Sequence, residues 1–239
     1  MDTIKINKQI TRIIAHRGLS GIERENTCAA FIAAANSSYY GIETDVHVTA
    51  DGKYILIHDD DTKRVAGVDL PVEKSTFEEL RGLTLPDKDG FKRGDLVLPT
   101  PEEYFSICKR YGKVAVFELK NRFLKEQIGE LVQRIKELEM LENTVFISFF
   151  HANLVDLKEI CPEAHAQYLS YREIDEKLIA ACKDYDLGLD VRHDRLNEQT
   201  VAMLKQAGVE INCWTVDDPA RAEELISLGV DYITTNILE

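Results

Sequence analysis

The sequence has few of the residues and runs that mark fibrous, disordered or membrane-spanning proteins. It contains only six prolines and 13 glycines in 239 residues, which excludes collagen and elastic repeats. Its 44% hydrophobic and 30% charged residues are typical of a globular protein with a substantial core. No run approaches the roughly 20 apolar residues of a membrane-spanning helix, and residues 1–10 lack the apolar stretch of a signal peptide. We therefore expect no stable association with a membrane.

The sequence also has few cysteines, and its basic residues are outnumbered by acidic ones. The five cysteines are odd in number and include no C-x-x-C pair, which argues against disulfides or a zinc ribbon and favours a reducing cytoplasm. The 29 basic residues against 42 acidic ones leave a formal net charge of −13. Because a phosphate backbone repels such a surface, nucleic acid is not expected as a partner. We expect a small-molecule substrate, and a chain that acts as a monomer or a homodimer.

Short apolar or alternating runs recur along the chain, and a stretch with helical periodicity follows each of them. The eight predicted strands span residues 12–17, 41–49, 114–120, 145–150, 165–170, 187–191, 210–216 and 232–235. Eight strand-helix units in about 240 residues predict an α/β fold of the (β/α)8 TIM barrel type. An open doubly wound sheet, which usually has fewer strands, is the alternative.

Several helix starts carry recognisable signals. Thr100, Pro101 and Glu103 combine an N-cap, a proline at the first helical position and an acid at capping-box spacing. Asp218 precedes a second such proline, and Asn197 is placed to cap the following helix.

The alternation of strands and helices is interrupted at residues 60–100, which contain several turn-forming dipeptides. Within this interval only residues 75–82 have a helical pattern, with Ser75 and Glu78 at capping-box spacing. Insertions of this length are more often functional than idle. We predict one domain, residues 1–239, with an insertion subdomain at residues 60–100 after the second strand.

Acidic residues mark the ends of two predicted strands. Glu43 and Asp45 alternate with apolar neighbours and so share one face of the second strand, while Glu118 and Lys120 do the same on the third. Carboxylates that face a barrel interior need a compensating cation, and all-oxygen ligands suit a hard divalent metal. The alternatives are an exposed edge strand with solvated acids and a surface ion pair.

Basic residues end two further apolar runs. His16 and Arg17 follow the first strand, and His58 follows residues 54–57. Histidine transfers protons near neutral pH, and arginine binds phosphate oxygens in a bidentate manner. Asp59 is placed to orient the His58 ring. The whole set suits metal-assisted phosphoryl transfer.

These motifs, taken in chain order, resemble the glycerophosphodiester phosphodiesterase family. The early ones are His16-Arg17-Gly18, Glu25-Asn26-Thr27, Ala30-Phe31, Gly41-Ile42-Glu43-Thr44-Asp45-Val46, Thr49-Ala50-Asp51-Gly52 and His58-Asp59. The later ones are Leu98-Pro99-Thr100, Phe117-Glu118-Leu119-Lys120, Ser148-Phe149 and Trp214-Thr215-Val216.

The resemblance implies a TIM barrel with a family-specific insertion, and a Mg²⁺ or Ca²⁺ ion bound by three carboxylates. The implied metal ligands are Glu43, Asp45 and Glu118. His16 and His58 would act as the acid-base pair while a glycerol hydroxyl attacks phosphorus and an alcohol departs, and water would then open the cyclic phosphate. Arg17 and Lys120 would hold the phosphoryl oxygens. Phe149 and Trp214 would line the glycerol or leaving-group side, although core packing is the alternative for both.

Three positions depart from the family pattern. Arg24 stands where the family usually has proline, and we expect it to alter the charge of the entrance. Asp217 replaces a common asparagine, and Asn236 replaces a common aspartate. We expect none of the three to touch the metal or acid-base residues, so that only the substrate range is affected.

The expected function is metal-dependent hydrolysis of glycerophosphodiesters to glycerol 3-phosphate and an alcohol, in lipid and glycerol metabolism. One alternative is lysophospholipase D activity on acylated substrates, which needs an apolar groove. A second alternative is a metal-dependent barrel isomerase or aldolase, but such an enzyme would not need His16 and Arg17 beside a lysine. A third is a non-catalytic barrel that binds phosphate ligands, but binding alone would not need two histidines.

Overall fold

The computed structural model describes residues 2–239, which form nine β-strands and nine α-helices; Met1 lies outside the described residues. The strands are β1 (Arg12–Ala15), β2 (Gly41–Val48), β3 (Tyr54–Leu56), β4 (Val114–Leu119), β5 (Thr144–Ser148), β6 (His165–Ser170), β7 (Gly188–Arg192), β8 (Ile211–Trp214) and β9 (Tyr232–Thr235). The helices are α1 (Cys28–Ala35), α2 (Lys63–Ala66), α3 (Phe77–Arg81), α4 (Pro101–Tyr111), α5 (Lys125–Glu137), α6 (His151–Ile160), α7 (Glu176–Lys183), α8 (Glu198–Ala207) and α9 (Pro219–Leu228).

Eight of the strands close into a parallel barrel. Their order is β1-β9-β8-β7-β6-β5-β4-β2, and β1 also pairs with β2. The closure confirms the predicted TIM barrel and excludes the open sheet. Each predicted strand corresponds to one barrel strand, whereas β3 lies outside the predicted set and pairs antiparallel with β2.

Side-chain alternation divides the core of the barrel into two layers. Outward-facing residues such as Ile42 and Phe117 belong to the large cluster between strands and helices. A smaller cluster fills the interior, and its buried members are Ile14, Val116, Val145, Ile147, Leu169 and Tyr232. Inward-facing positions that this cluster does not fill, at the carboxyl ends of the strands, can therefore hold polar side chains.

The predicted N-caps of three helices are confirmed. The Thr100 hydroxyl accepts from the Glu103 backbone, Glu103 bonds back to the Thr100 backbone, and Asn197 and Asp218 cap α8 and α9. The predicted capping box in the insertion is wrong by one residue, because Thr76 and Glu79 form it. The Ser75 hydroxyl is occupied, since it donates to the Pro71 carbonyl at 2.9 Å.

The segment between β3 and α4 has a small core of its own. This further cluster combines Ile55 of β3 with buried residues that follow it, namely Ile57, Val65, Val72, Leu80, Leu85, Leu96 and Leu98. The Lys88 ammonium fastens the segment to the barrel by donating to the carbonyls of Ser20 and Gly21. We accordingly keep the proposal that residues 60–100 form an insertion subdomain within a single domain.

All five cysteines are free thiols, in line with the predicted absence of disulfides. Among the described residues, no helix combines the length and the apolar character needed to cross a membrane.

The turn after β1 gives a test of the fold. Gly18 has a φ of +76°, and a Cβ placed there would lie 2.7 Å from the Cβ and the backbone carbonyl carbon of Ala30. Gly52, between β2 and β3, is the control, because its φ is also positive at +73° but a Cβ added there would meet no atom of residues 2–239 within 4 Å. We expect Gly18→Ala to lower the free energy of unfolding by about 2–5 kcal/mol, from left-handed strain and overpacking together. Gly52→Ala should cost about 1–2 kcal/mol, from the strain alone.

Urea denaturation of both variants measures the difference. Equal losses at the two glycines would show that the close approach of Gly18 to α1 does not constrain the turn.

Candidate active site

The predicted site residues meet at the carboxyl-terminal end of the barrel. One pocket is lined by seven of them, namely His16, Arg17, Glu43, His58, Glu118, Phe149 and Trp214. The other two, Asp45 and Lys120, lie against this group, with Lys120 Nζ 3.6 Å from Asp45 Oδ1. Residues from β1 to β8 converge because parallel strands bring their carboxyl ends to one rim.

Three carboxylates form a compact buried cluster. Asp45 and Glu118 are direct neighbours in the register of β2 and β4. Oxygen atoms of Glu43, Asp45 and Glu118 all lie within 4.8 Å of one another. These side chains are nearly inaccessible to solvent, so water does not screen their mutual repulsion.

The electrostatics of this cluster fit a bound cation. Burial, with the neighbouring acids, raises the pKa of Glu43 well above its usual range and that of Glu118 to about 8. Burial alone would also raise the pKa of Asp45, but the charges of Lys120 and Arg17 hold it below its usual range. Asp45 Oδ1 and Glu118 Oε1 are buried and accept no well-oriented hydrogen bond from residues 2–239. Asp45 and Glu118 thus present free oxygen atoms of the kind that hard divalent cations bind.

Two cations border the acidic cluster. Lys120 Nζ lies 3.0 Å from Glu118 Oε1. The Arg17 backbone N–H donates to Glu43 Oε2 at 2.8 Å, and its guanidinium pairs with Glu25 at 2.7 Å. Arg17 Nε is buried without a hydrogen-bond partner in the described chain. A donor is therefore available to a ligand oxygen next to the acids.

The His16 ring is held by one nitrogen. Its Nδ1 lies 2.8 Å from Asn236 Oδ1, and Asn236 Nδ2 donates to Asp217 Oδ2 at 2.6 Å. Because the amide nitrogen is used by Asp217, the amide oxygen faces His16, and Nδ1 carries the proton. The free lone pair is then on Nε2, which lies 4.0 Å from Glu43 Oε2. Burial, with the charge of Arg17, lowers the pKa of His16 to about 4.

The expectation that Asn236 does not touch the acid-base residues is wrong. Asn236 bonds directly to His16, and Asp217 holds Asn236 through its amide and its backbone N–H. The reason is the closure of the barrel, in which Ala15 of β1 is paired with Thr235 of β9. Residues that follow these two strands become neighbours despite a separation of 220 positions.

His58 is oriented by a carboxylate, as predicted. Asp59 Oδ1 lies 2.7 Å from His58 Nδ1, and burial lowers the pKa of His58. Arg64, which was not predicted, pairs with Asp59 at 2.7 Å and with Glu25 at 2.6 Å. An ion-pair chain thus joins His58 to the group that holds Arg17. No local sequence signal identifies Arg64, because its role depends on how α2 of the insertion packs against the first loop.

Arg24 binds the backbone of the segment between β3 and α4. Its guanidinium donates to the carbonyls of Pro86 and Asp87, each at 2.7 Å. The residue that departs from the family pattern thus fastens the insertion to the loop after β1.

The far wall of the pocket is aromatic and apolar. Phe149 and Trp214 meet edge to face with ring centroids 5.5 Å apart, and Tyr171 lies 5.9 Å from Phe149. Trp214 is half-buried, and its indole N–H donates to the Asp190 carbonyl at 3.3 Å. Both predicted aromatic residues therefore face the pocket. Asp190 also lines it and was missed, although an acid in the middle of an apolar strand was a usable signal.

Comparison with known proteins places this site in context. Residues 16–239 match the sequence model of the glycerophosphoryl diester phosphodiesterase family. A glycerophosphodiester phosphodiesterase from Caldanaerobacter subterraneus subsp. tengcongensis is 32% identical, over 95% of this chain and 94% of the relative.

Solved structures agree with the sequence match. A phosphodiesterase from Oleispira antarctica, in complex with the product sn-glycerol-3-phosphate, superposes with a TM-score of 0.85 at 26% identity, covering 95% of this chain and 93% of that one. A glycerophosphodiester phosphodiesterase from Parabacteroides distasonis gives 0.78 at 31% identity, with 96% and 94% covered. The chain therefore belongs to the glycerophosphoryl diester phosphodiesterase family.

Proposed function

We propose that this protein hydrolyses glycerophosphodiesters to sn-glycerol 3-phosphate and an alcohol. The observation that carries the proposal is a pocket lined by two histidines, an arginine and two buried carboxylates, with a third buried carboxylate and a lysine directly against them. Membership of the family supports it, as does the sn-glycerol-3-phosphate bound by the relative from Oleispira antarctica.

We propose that Glu43, Asp45 and Glu118 hold a divalent cation, Mg²⁺ or Ca²⁺. Their oxygen atoms are close enough to share one ion, and oxygen is the ligand that both ions prefer. When bound, the ion would stabilise negative charge on the phosphoryl oxygens.

Arg17 and Lys120 complete the proposed phosphate site. Both side chains lie beside the acids, and each is largely buried. Their charges are therefore weakly screened and strongly attract an anionic diester.

The two histidines are proposed to move protons. His16 has a neutral amide as its partner and a free Nε2, so it remains unprotonated and suits the base that activates the attacking glycerol hydroxyl. His58 has a carboxylate as its partner, which stabilises the imidazolium form and suits the acid that protonates the departing alcohol. The roles would reverse when water opens the cyclic phosphate.

The aromatic wall of Phe149 and Trp214 is proposed to contact the carbon skeleton of the substrate. The same proposal places the enzyme in the cytoplasm, in lipid and glycerol metabolism, and the five free thiols support a reducing compartment.

Metal removal tests the acidic cluster. We expect EDTA to abolish release of glycerol 3-phosphate, and Mg²⁺ or Ca²⁺ to restore it. Glu43→Gln should lower kcat by at least roughly 100-fold because the cation is lost from the phosphoryl oxygens. Glu210→Gln, at the opposite end of the barrel, is the matched control. Full activity in EDTA, or an equal loss in the control, would rule out the metal site.

Substitution of the histidines tests the acid-base pair. We expect His16→Gln and His58→Gln each to lower kcat by about 10²- to 10⁴-fold, with little change in KM, because proton transfer is lost while binding persists. His165→Gln removes a histidine from the other end of the barrel and should leave kcat unchanged. Normal turnover by either pocket variant would remove that histidine from the mechanism.

Exchange of two side chains tests how His16 is held. Asn236→Asp places a second carboxylate within 2.6 Å of Asp217, and we expect the repulsion to displace the partner of His16. The single variant should lose about tenfold or more in kcat, on the scale seen when a group orienting a reactive side chain is removed. The double variant Asp217→Asn/Asn236→Asp removes the repulsion and should recover part of the activity, since His16 is again held but now by a carboxylate instead of a neutral amide. Equal activity of the single and double variants would show that this pair does not position His16.

A further inference from the structure

Asp190 is a buried carboxylic acid that the proposed chemistry does not use. It lies in the middle of β7, points into the barrel and is 2% exposed. Its Oδ1 has no hydrogen-bond partner among the described residues. A buried polar atom without a partner is destabilising, so its presence in a pocket wall points to a ligand that completes it.

The position of Asp190 places that ligand atom on the side of the barrel opposite the phosphate site. In the ring of eight barrel strands, β7 is four strands from β2 in either direction. Asp190 therefore faces Glu43 and Asp45 from the opposite side of the barrel. A substrate whose phosphate lies beside β2 would direct its carbon skeleton towards β7.

The surroundings of Asp190 define the kind of group it can bind. On the strands adjacent to β7, the pocket residues are Leu169 of β6 and Trp214 of β8, and the Trp214 indole N–H is already bonded to the Asp190 backbone carbonyl. Ile147 of β5 and Phe149, just after β5, add two more apolar side chains to the pocket. Burial raises the pKa of Asp190 well above its usual range, with the charge of Glu118 as a second cause. A neutral carboxyl group both donates and accepts, which matches a hydroxyl better than an ammonium ion.

We propose that Asp190 binds the terminal hydroxyl of the glycerol moiety, an inference that rests on the proposed function. The hydroxyl next to the phosphodiester is the one that attacks phosphorus, so the terminal hydroxyl is free to bind at the far wall. An acyl chain on that oxygen would remove its hydrogen and place bulk against Asp190. The residue thus selects deacylated glycerophosphodiesters against lysophospholipids.

The test compares two ligands that differ by this one hydroxyl. Calorimetry with the metal-loaded protein measures the affinity of sn-glycerol 3-phosphate and of propane-1,2-diol phosphate, which lacks the terminal hydroxyl. We expect wild type to prefer glycerol 3-phosphate by about tenfold or more, as for one buried hydrogen bond. In Asp190→Leu the two affinities should agree within about twofold, because the partner of the hydroxyl is gone. Asp190→Asn keeps a donor and an acceptor and should retain most of the preference.

A control variant separates this effect from general damage to the barrel. Gln167 is also buried and inward-facing, but it bonds to Glu210 and Asn212 and does not line the pocket. Gln167→Leu should lower stability and leave the ligand preference intact. Turnover provides a second readout, since Asp190→Leu should lose the preference of wild type for glycerophosphocholine over lysophosphatidylcholine.

The outcomes distinguish the two proposals. An unchanged preference in Asp190→Leu, or a wild-type protein that binds both phosphates equally, overturns the role of Asp190 while diesterase activity stands. The wild-type comparison needs no variant, so the inference remains testable even when Asp190→Leu does not fold. Absence of glycerol 3-phosphate release from every glycerophosphodiester would instead overturn the proposed function itself.

Discussion

Charge compensation at the mouth of the barrel is the constraint on which the rest of the site depends. Three carboxylates are buried within 4.8 Å of one another, and two cationic side chains lie against them. A divalent cation would leave this group with one net positive charge, which matches the single negative charge of a phosphodiester. Burial and the neighbouring acids raise the pKa of Glu43 and Glu118, so a divalent cation and an anionic substrate would together complete the charge balance of the pocket.

The neighbouring elements hold these charges in place through a chain of paired groups. Arg17 is held by Glu25, Glu25 by Arg64, and Arg64 by Asp59, which in turn orients His58. Because Arg64 belongs to α2, the insertion takes part in the site and is not merely attached to the barrel. On the other side, Asn236 and Asp217 give His16 a neutral partner. The two histidines thus differ in the charge of the group behind each ring, which is the physical basis for assigning them different roles.

Much of this arrangement could be predicted from local patterns. Each barrel strand is a short apolar or alternating run, and a period of two places Glu43 and Asp45 on one face whatever the rest of the chain does. The helix caps at Thr100, Asn197 and Asp218 follow from side chains that accept from backbone N–H groups two or three residues further along the chain. The error at Ser75 arose because two hydroxyl residues adjoin, and only the surrounding turn decides that Ser75 bonds to Pro71 while Thr76 caps α3.

The sequence by itself determined the strands, the inward-facing acids and the residues of the family motifs, because these depend on neighbours a few positions apart. Tertiary structure alone decided which side chains meet across the barrel. Asn236 reaches His16 because β9 closes against β1, and Asp190 faces Glu43 because β7 is the fourth strand from β2 in either direction around the barrel. Closure of a parallel barrel brings residues about 150 to 220 positions apart into one rim, and no periodicity within a single strand contains that information.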